Sequence, residues 1–283
     1  TNWRLLYTPP STGALNMAVD ESILEHIHRG EALPTLRLYS WDPPCLSLGH
    51  AQSFADVDME RVKAHGWEVV RRLTGGRAIL HTDELTYSVT GSAEDPILSG
   101  SILESYNRLA QALLFAVREL GLPVEMKEHS PSGPAGEPAT LNLNPVCFEV
   151  PSTYEITVDG KKLIGSAQAR KKEGVLQHGS LPLTGDLTRI CEALVFKDEA
   201  ARENAAQRLL ARATTVSTVL NTSVESVISV ETDWETAAQA FVKGFEAQLG
   251  IHFQRGELSR SESERAEELV KEKYANPTWT ERS

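Results

Sequence analysis

Residues Arg71 to His81 read RRLTGGRAILH: two arginines, a Thr74-Gly75-Gly76 turn, a short apolar run and a histidine. Glycines after a strand let backbone N–H groups approach a ligand with no Cβ in the way. Arg71, Arg72 and Arg77 supply charge for an anionic ligand group. Gly-Gly turns are also common in hairpins, so this segment alone decides little. A second stretch, from Asn144 to Arg170, reads NPVCFEVPSTYEITVDGKKLIGSAQAR. It holds a cysteine, a lysine pair and a run of small residues, the residue types for attack by a thiolate on a carbonyl.

Two readings stand for each chemical residue. Cys147 sits at a loop-to-strand boundary, where an accessible thiolate is a good nucleophile; free cysteines are also among the most buried residues, and composition alone favours that reading. Cys45 and Cys191 are read as core residues. Lys162 pointing into an apolar pocket would lower a neighbouring thiol's pKa and donate to an oxyanion; otherwise it is a solvated hairpin lysine paired loosely with Glu155. His81 is a site wall near an acyl carbonyl, or a strand-end histidine bonded to a carboxylate such as Asp83. Arg72 and Arg77 are either ligand-binding or surface arginines with buried stems. Gly165, Ser166 and Ala167 are more telling, because small residues in a strand mark close approach of a ligand or another backbone.

The elements that must position these residues are legible from periodicity and turn signals. Leu15 to Arg29 reads as an amphipathic helix, with Leu15, Ala18, Val19, Ile23 and Ile27 at helical spacing. Strands are expected at 35–40, 45–48, 67–72, 78–81 and 85–90. Ser101 to Leu120 is a long helix stopped by Gly121 and Pro123, and Ser130 to Pro138 has loop composition. Tyr154–Val158 and Lys161–Ala169 form a hairpin about Asp159-Gly160. A two-residue loop pairs Val158 with Lys161, Thr157 with Lys162 and Glu155 with Ile164. Alternation then sets Lys162, Ile164, Ser166 and Gln168 on one face. A further strand is expected at 174–183. Helices follow at 187–195, 198–213, 233–249 and 259–274. The pattern argues an α+β fold with a mixed or largely antiparallel sheet. We expect one catalytic domain over residues 1–283, with a mainly helical C-terminal portion from about Leu187.

The 283 residues suffice for a full core. No apolar run reaches bilayer length, and TNWRLLYTPP lacks a signal-peptide core; neither a membrane nor a targeting role is expected. Three cysteines without C-x-x-C argue against a disulfide framework or structural zinc, and point to a reducing cytoplasm. The eight histidines form no metal-binding pattern, so no metal is expected. A net charge of −11 argues against a nucleic-acid binder. Basic residues nevertheless gather in the two motifs: Arg71, Arg72 and Arg77, then Lys161, Lys162, Arg170, Lys171 and Lys172. Brought together, they would form a basic rim facing an acidic partner; the alternative is a scattered, solvated surface.

Taken with their flanks, these motifs resemble the lipoate/biotin protein ligase family, and more narrowly its cysteine-dependent octanoyltransferase branch. Arg71–His81 is similar to the family's R-R-x-[ST]-G-G-x-x-x-x-H acyl-binding loop, with Arg77 where a third Gly is frequent. Lys162-Leu163-Ile164-Gly165-Ser166-Ala167-Gln168 is similar to its lysine and small-residue strand, and Leu176-Gln177-His178-Gly179-Ser180 to its L-Q-H-G-[ST] strand. Pro145-Val146-Cys147-Phe148 resembles the cysteine loop of the octanoyltransferase branch. The resemblance runs from about Trp3 to the NPTW at 276–279. It implies the biotin/lipoate ligase catalytic fold, related to class II aminoacyl-tRNA synthetases. It also implies Cys147 as nucleophile, Lys162 as its partner, and Arg72, Thr74, Gly75, Gly76, His81, Gly165, Ser166 and Ala167 as the substrate-binding set. The implied reaction carries octanoyl from octanoyl-acyl-carrier protein to a lysine of an apo lipoyl domain or of the glycine-cleavage H protein. A thioester is already activated, so no ATP or other cofactor is implied. Three alternatives remain: an amidotransferase moving octanoyl from H protein to lipoyl domains, an ATP-dependent lipoate–protein ligase, and a silent lipoyl-domain binder.

Overall fold

A computed structural model of the chain describes residues 1–128, 154–223 and 232–282. Two sheets carry the fold. The larger has eight strands among the described residues. In chain order these are β1 (Asn2–Tyr7), β2 (Thr35–Tyr39), β6 (Glu84–Gly91), β7 (Glu125–Glu128), β8 (Tyr154–Val158), β9 (Lys161–Lys171), β10 (Gly174–Pro182) and β11 (His252–Arg255). Their spatial order is β11-β1-β2-β6-β10-β9-β8-β7. β1 runs parallel to β2 and β11, and the remaining neighbours are antiparallel. The smaller sheet has β3 (Cys45–Leu48) between β4 (Glu68–Arg71) and β5 (Ile79–His81). This is the mixed α+β architecture expected.

Helices cover both faces of the large sheet. On one face, α3 (Ile102–Glu119) packs against α6 (Trp234–Leu249). A reciprocal capping box fixes the start of α3: the Ser101 side chain accepts from Glu104 N–H, and the Glu104 carboxylate accepts from Ser101 N–H. Leu109, Leu113, Phe241 and Phe245 fill the core beneath, against Leu36, Val89 and Leu163 of the sheet. On the other face lie α1 (Gly13–His28) and α7 (Arg260–Leu269), with Met17, Ile23, Tyr39 and Leu269 in a second cluster. The chain leaves α7 through a π-helical turn, Val270–Tyr274, so the helical periodicity expected to Tyr274 changes hand-hold at Leu269. A third cluster joins the small sheet to α2 (Met59–Ala64), the 3-10 segment Leu187–Ala193 and α4 (Glu199–Arg212). Two short helices, α5 (Val216–Ser223) and α8 (Pro277–Thr280), complete the described set.

The hairpin departs from the expected register. Val158 faces Lys161 and Thr157 faces Lys162 as expected, but Ile164 faces Ile156, not Glu155. One extra residue on β9 is a β-bulge. Leu163 and Ile164 both enter the α3-side core, along with Ile156 and Val158. Paired residues share a face, so the bulge moves Lys162 off the face of Ile164 and onto that of Gly165 and Ala167. The expected grouping of Lys162 with Ile164, Ser166 and Gln168 is therefore corrected.

Candidate active site

The first motif and the small-residue strand meet in one cleft. The β4–β5 segment contributes Arg72, Gly76, Ile79 and His81. β9 contributes Gly165, Ser166 and Ala167, and β10 contributes His178, Gly179 and Ser180. Met17 of α1, with Tyr39, Trp41 and Thr86, closes the apolar side. A larger, more open groove of about 690 Å³ lies beside it, between Tyr7, Pro10 and Trp234. Its lining includes Glu84, which bonds His81 of the cleft, yet none of the expected substrate-binding residues, so the candidate site is placed at the smaller cleft.

The glycines are required by close packing. A Cβ on Gly49 would lie 1.9 Å from Gly76 O, and Gly76 itself has φ +92°. A Cβ on Gly179 would lie 2.4 Å from Gly165 O and 2.8 Å from Tyr87 Cε1. The backbone of the turn thus reaches the cleft, and β10 sits flush on β9.

Arg72 is buried, not a surface arginine. Its Nη1 donates to Ser47 O and Ser47 Oγ, both at 2.7 Å, and its Nη2 to Gly75 O and Arg77 O, both at 3.0 Å. The side chain therefore clamps the turn that carries Gly75 and Gly76. Thr74 is fully buried behind the cleft wall, with Oγ1 2.6 Å from His178 Nε2. Gly75 is exposed and contributes its carbonyl to the clamp. His81 lines the cleft and stacks on Trp41 at 3.9 Å, and its Nδ1 lies 2.6 Å from a carboxylate, as its strand-end reading expected. That carboxylate is Glu84; Asp83 pairs instead with Arg189.

Buried charge surrounds the cleft. Asp20, on α1, accepts from Arg37 at 2.8 Å, from Ser88 at 2.7 Å and from Tyr39 at 3.2 Å. Burial alone would raise its carboxyl pKa, but Arg37, His178 and Ser88 together hold it below the usual range. Burial pushes His178 down, with Arg72 and His81 acting in the same direction against the pull of Asp20. His178 is therefore a neutral imidazole at pH 7. Burial also pushes the Cys45 thiol well up, with Glu68 adding to it, as befits a core residue. Cys191 is buried as well.

Lys162 is buried, and its carbonyl accepts from Thr214 N–H at 3.0 Å. It lies beyond the cleft lining, three residues along β9 from Gly165 and on the same face. Cys147 lies outside the described residues. The expected basic rim is corrected. Arg71 is fully buried and donates to the carbonyls of Gly49, Gln52 and Thr280. Arg170 donates to Leu98 O and Ser105 Oγ beside the start of α3. Lys161 and Lys171 stand at opposite ends of an 11-residue strand, roughly 30 Å apart at strand rise.

Asp20, Ser47 and Glu84 were not assigned from sequence, and His178 was placed in a motif without a role. Asp20 had a signal: it is an acid inside the apolar spacing of α1.

Residues 12–246 match the model of the lipoyl protein ligase A/B catalytic domain. The chain belongs to this family. Octanoyltransferase LipM of Moorella thermoacetica is 41% identical over 281 residues, spanning 99% of this chain and 98% of the relative. Octanoyltransferase LipM of Carboxydothermus hydrogenoformans is 37% identical over 278 residues, spanning 98% and 97%. A bi-partite lipoate protein ligase from Thermoplasma acidophilum, studied with its E2 lipoyl domain, superposes with a TM-score of 0.77 at 25% identity. That match covers 99% of this chain and 96% of the ligase chain. The lipoyl ligase fold thus accounts for the mixed sheet and its flanking helices. No described helix is long and apolar enough to cross a membrane.

Proposed function

We propose that the protein carries an octanoyl group from octanoyl-acyl-carrier protein to the ε-amine of a lysine on an apo lipoyl domain or the glycine-cleavage H protein, through an acyl-Cys147 intermediate. Its relatives, matched over nearly their full length, are named octanoyltransferases. The observation that carries the reading to this chain is the cleft itself. It joins an apolar wall of Met17, Trp41 and Ile79 to a glycine-lined end bearing Arg72 and two imidazoles. The apolar wall suits a saturated acyl chain, and the polar end suits its carbonyl.

The chemistry divides into two acyl transfers. The Cys147 thiolate attacks the donor thioester carbonyl, and the tetrahedral oxyanion collapses with departure of the carrier's thiolate. The acceptor amine then attacks the acyl-Cys147 carbonyl, loses a proton, and displaces the Cys147 thiolate to leave an amide. Lys162 as ammonium stabilises the first oxyanion and protonates the departing carrier thiolate; the resulting free amine takes the proton that the acceptor amine loses. Both steps start from a thioester, so no nucleotide enters. The thiolate needs a reducing compartment, which supports a cytoplasmic enzyme.

Intact-mass analysis after mixing with octanoyl-acyl-carrier protein should show one octanoyl adduct, labile to hydroxylamine. Cys147→Ala should lose it, while Cys45→Ala and Cys191→Ala should keep it. Adding an apo lipoyl domain should give the octanoyl-lysine amide without ATP or Mg²⁺. A full adduct on Cys147→Ala would overturn the intermediate. The lipoate ligase neighbour keeps one rival in play: robust use of free octanoate with ATP would reinstate the ligase reading.

A further inference from the structure

Two carboxylate–histidine–hydroxyl chains end on one guanidinium. In the first, Glu84 Oε1 lies 2.6 Å from His81 Nδ1, and His81 Nε2 lies 2.7 Å from Ser47 Oγ, which accepts from Arg72 Nη1 at 2.7 Å. In the second, Asp20 Oδ2 lies 3.7 Å from His178 Nδ1, and His178 Nε2 lies 2.6 Å from Thr74 Oγ1, which accepts from Arg72 Nε at 3.4 Å. The proton directions follow. A carboxylate only accepts, so each histidine turns Nδ1–H toward it; His178, pushed down by burial and neutral, offers a bare Nε2 to Thr74. Thr74 donates its single proton to that Nε2, and both hydroxyls use oxygen lone pairs for Arg72. Both chains converge on the cation.

Glu84, His81 and Ser47 have the composition of a hydrolytic triad, but Ser47 is fully buried and does not line the cleft. Its oxygen is committed to Arg72 and His81, so it has no access to a carbonyl carbon. The arrangement orients instead. The remaining Arg72 N–H groups hold Ser47 O, Gly75 O and Arg77 O, while Arg72, His81 and His178 line the cleft.

We infer that Ser47, Glu84, Asp20 and His178 are positioning residues, which act through Arg72 and Thr74 to hold the glycine turn and the two imidazoles against the thioester end of the acyl substrate. The inference rests on the octanoyl transfer proposed above. Asp20 also anchors Arg37 and Ser88, so the two hydroxyls make the sharper probes.

Single-turnover acylation of the full chain by a small thioester, S-octanoyl-pantetheine, reads the effect. Thr74→Val keeps volume and removes the hydroxyl; Ser47→Ala removes one atom. Each should raise the half-saturating thioester concentration about tenfold, the worth of a hydrogen bond to a charged group. The maximal acylation rate should stay within about threefold, and Thr74→Ser should restore wild-type behaviour. A merely structural loss would lower the active fraction without moving half-saturation. The double variant should be little worse than either single, because both hydroxyls act through the same guanidinium. Wild-type half-saturation in the single variants overturns the inference, and so does a double variant whose effect is the product of the two. If Thr74→Val does not fold, Ser47→Ala compared with Ser47→Thr carries the same test. No adduct on the wild-type chain is a separate result, which overturns the transfer reading itself.

Discussion

Lys162 shows how one residue's role depends on a single extra position in a strand. Simple alternation would have set it among Ile164 and Ser166. The bulge at Leu163 turns it to the face of Gly165 and Ala167, where the cleft lies. Arginine at this position would keep the charge but could not exchange a proton, and its planar fork has a different shape. Lys162→Arg should therefore lower octanoyl transfer by about a hundredfold, within the usual range for a lost proton-transfer group. Circular dichroism should show the fold intact. Lys161→Ala should be mild, since Lys161 sits half-buried at the hairpin turn and pairs on the opposite face, with Val158. Transfer assays on both variants check the register; the reverse order of severity would place it one residue out.

At the scale of elements, one wall of the candidate cleft is the seam between β9 and β10. Gly179 faces Ser166 and Ser180 faces Gly165 in this pair. The seam closes tightly because Gly179 has no side chain. Gly179→Ala would set a Cβ 2.4 Å from Gly165 O and 2.6 Å from Ser166 Oγ. The strand cannot yield without breaking its ladder to β6, so the substitution should cost about 1–3 kcal/mol. Thermal melts should show a lower midpoint, and acylation should weaken even in the folded fraction. Gly66→Ala is the contrasting control: it has open space but a φ of +69°, so it tests backbone strain far from the seam.

Across the whole molecule, the C-terminal segments are bound to the N-terminal ones by buried and part-buried polar contacts. Arg4 meets Glu262 through two hydrogen bonds, at 2.8 and 2.5 Å. Ser22 Oγ donates to Glu262 O, and Lys273 and Tyr274 both reach Glu21. Arg71 holds the carbonyls of Trp279, Thr280 and Arg282. With such ties the one-domain reading predicts a single unfolding transition. Its pH dependence follows from His178 and His50, both of which the fold holds below the ordinary histidine pKa, His178 chiefly by burial. The unfolded chain binds the proton first as pH falls through about 6.5, so stability is full above that pH and declines toward pH 5. Asp20, held low, adds a further loss only below about pH 4. Melting curves at pH 7, 6 and 5 should show one transition with a falling midpoint. His178→Gln should flatten the trend between pH 6.5 and 5; an unchanged slope would show that His178 does not contribute.

Local chemistry was legible in the sequence. The Thr74-Gly75-Gly76 turn, the Asp159-Gly160 hairpin, α1, the capped α3 and the strands around the first motif all follow from short-range rules of spacing, capping and φ preference. The small-residue strand Gly165–Ala167 also announced a close approach, and the backbone of β10 at Gly179 is what approaches. β1 and β11, the sheet's outer parallel strands, were not legible, because their pairing joins Asn2 to His252 and no local pattern encodes a partner 250 residues away. Tertiary structure alone decided three further points. It set the bulge that turned Lys162, it buried Arg71 and Arg72 where charge counting had suggested a rim, and it chose Glu84 over Asp83 for His81. The pairing of Asp20 with His178, and of both histidine chains with Arg72, belongs to the same class. Sequence supplies the hydrogen-bonding groups, but which donor meets which acceptor is fixed only when sheet and helix close around them and exclude water.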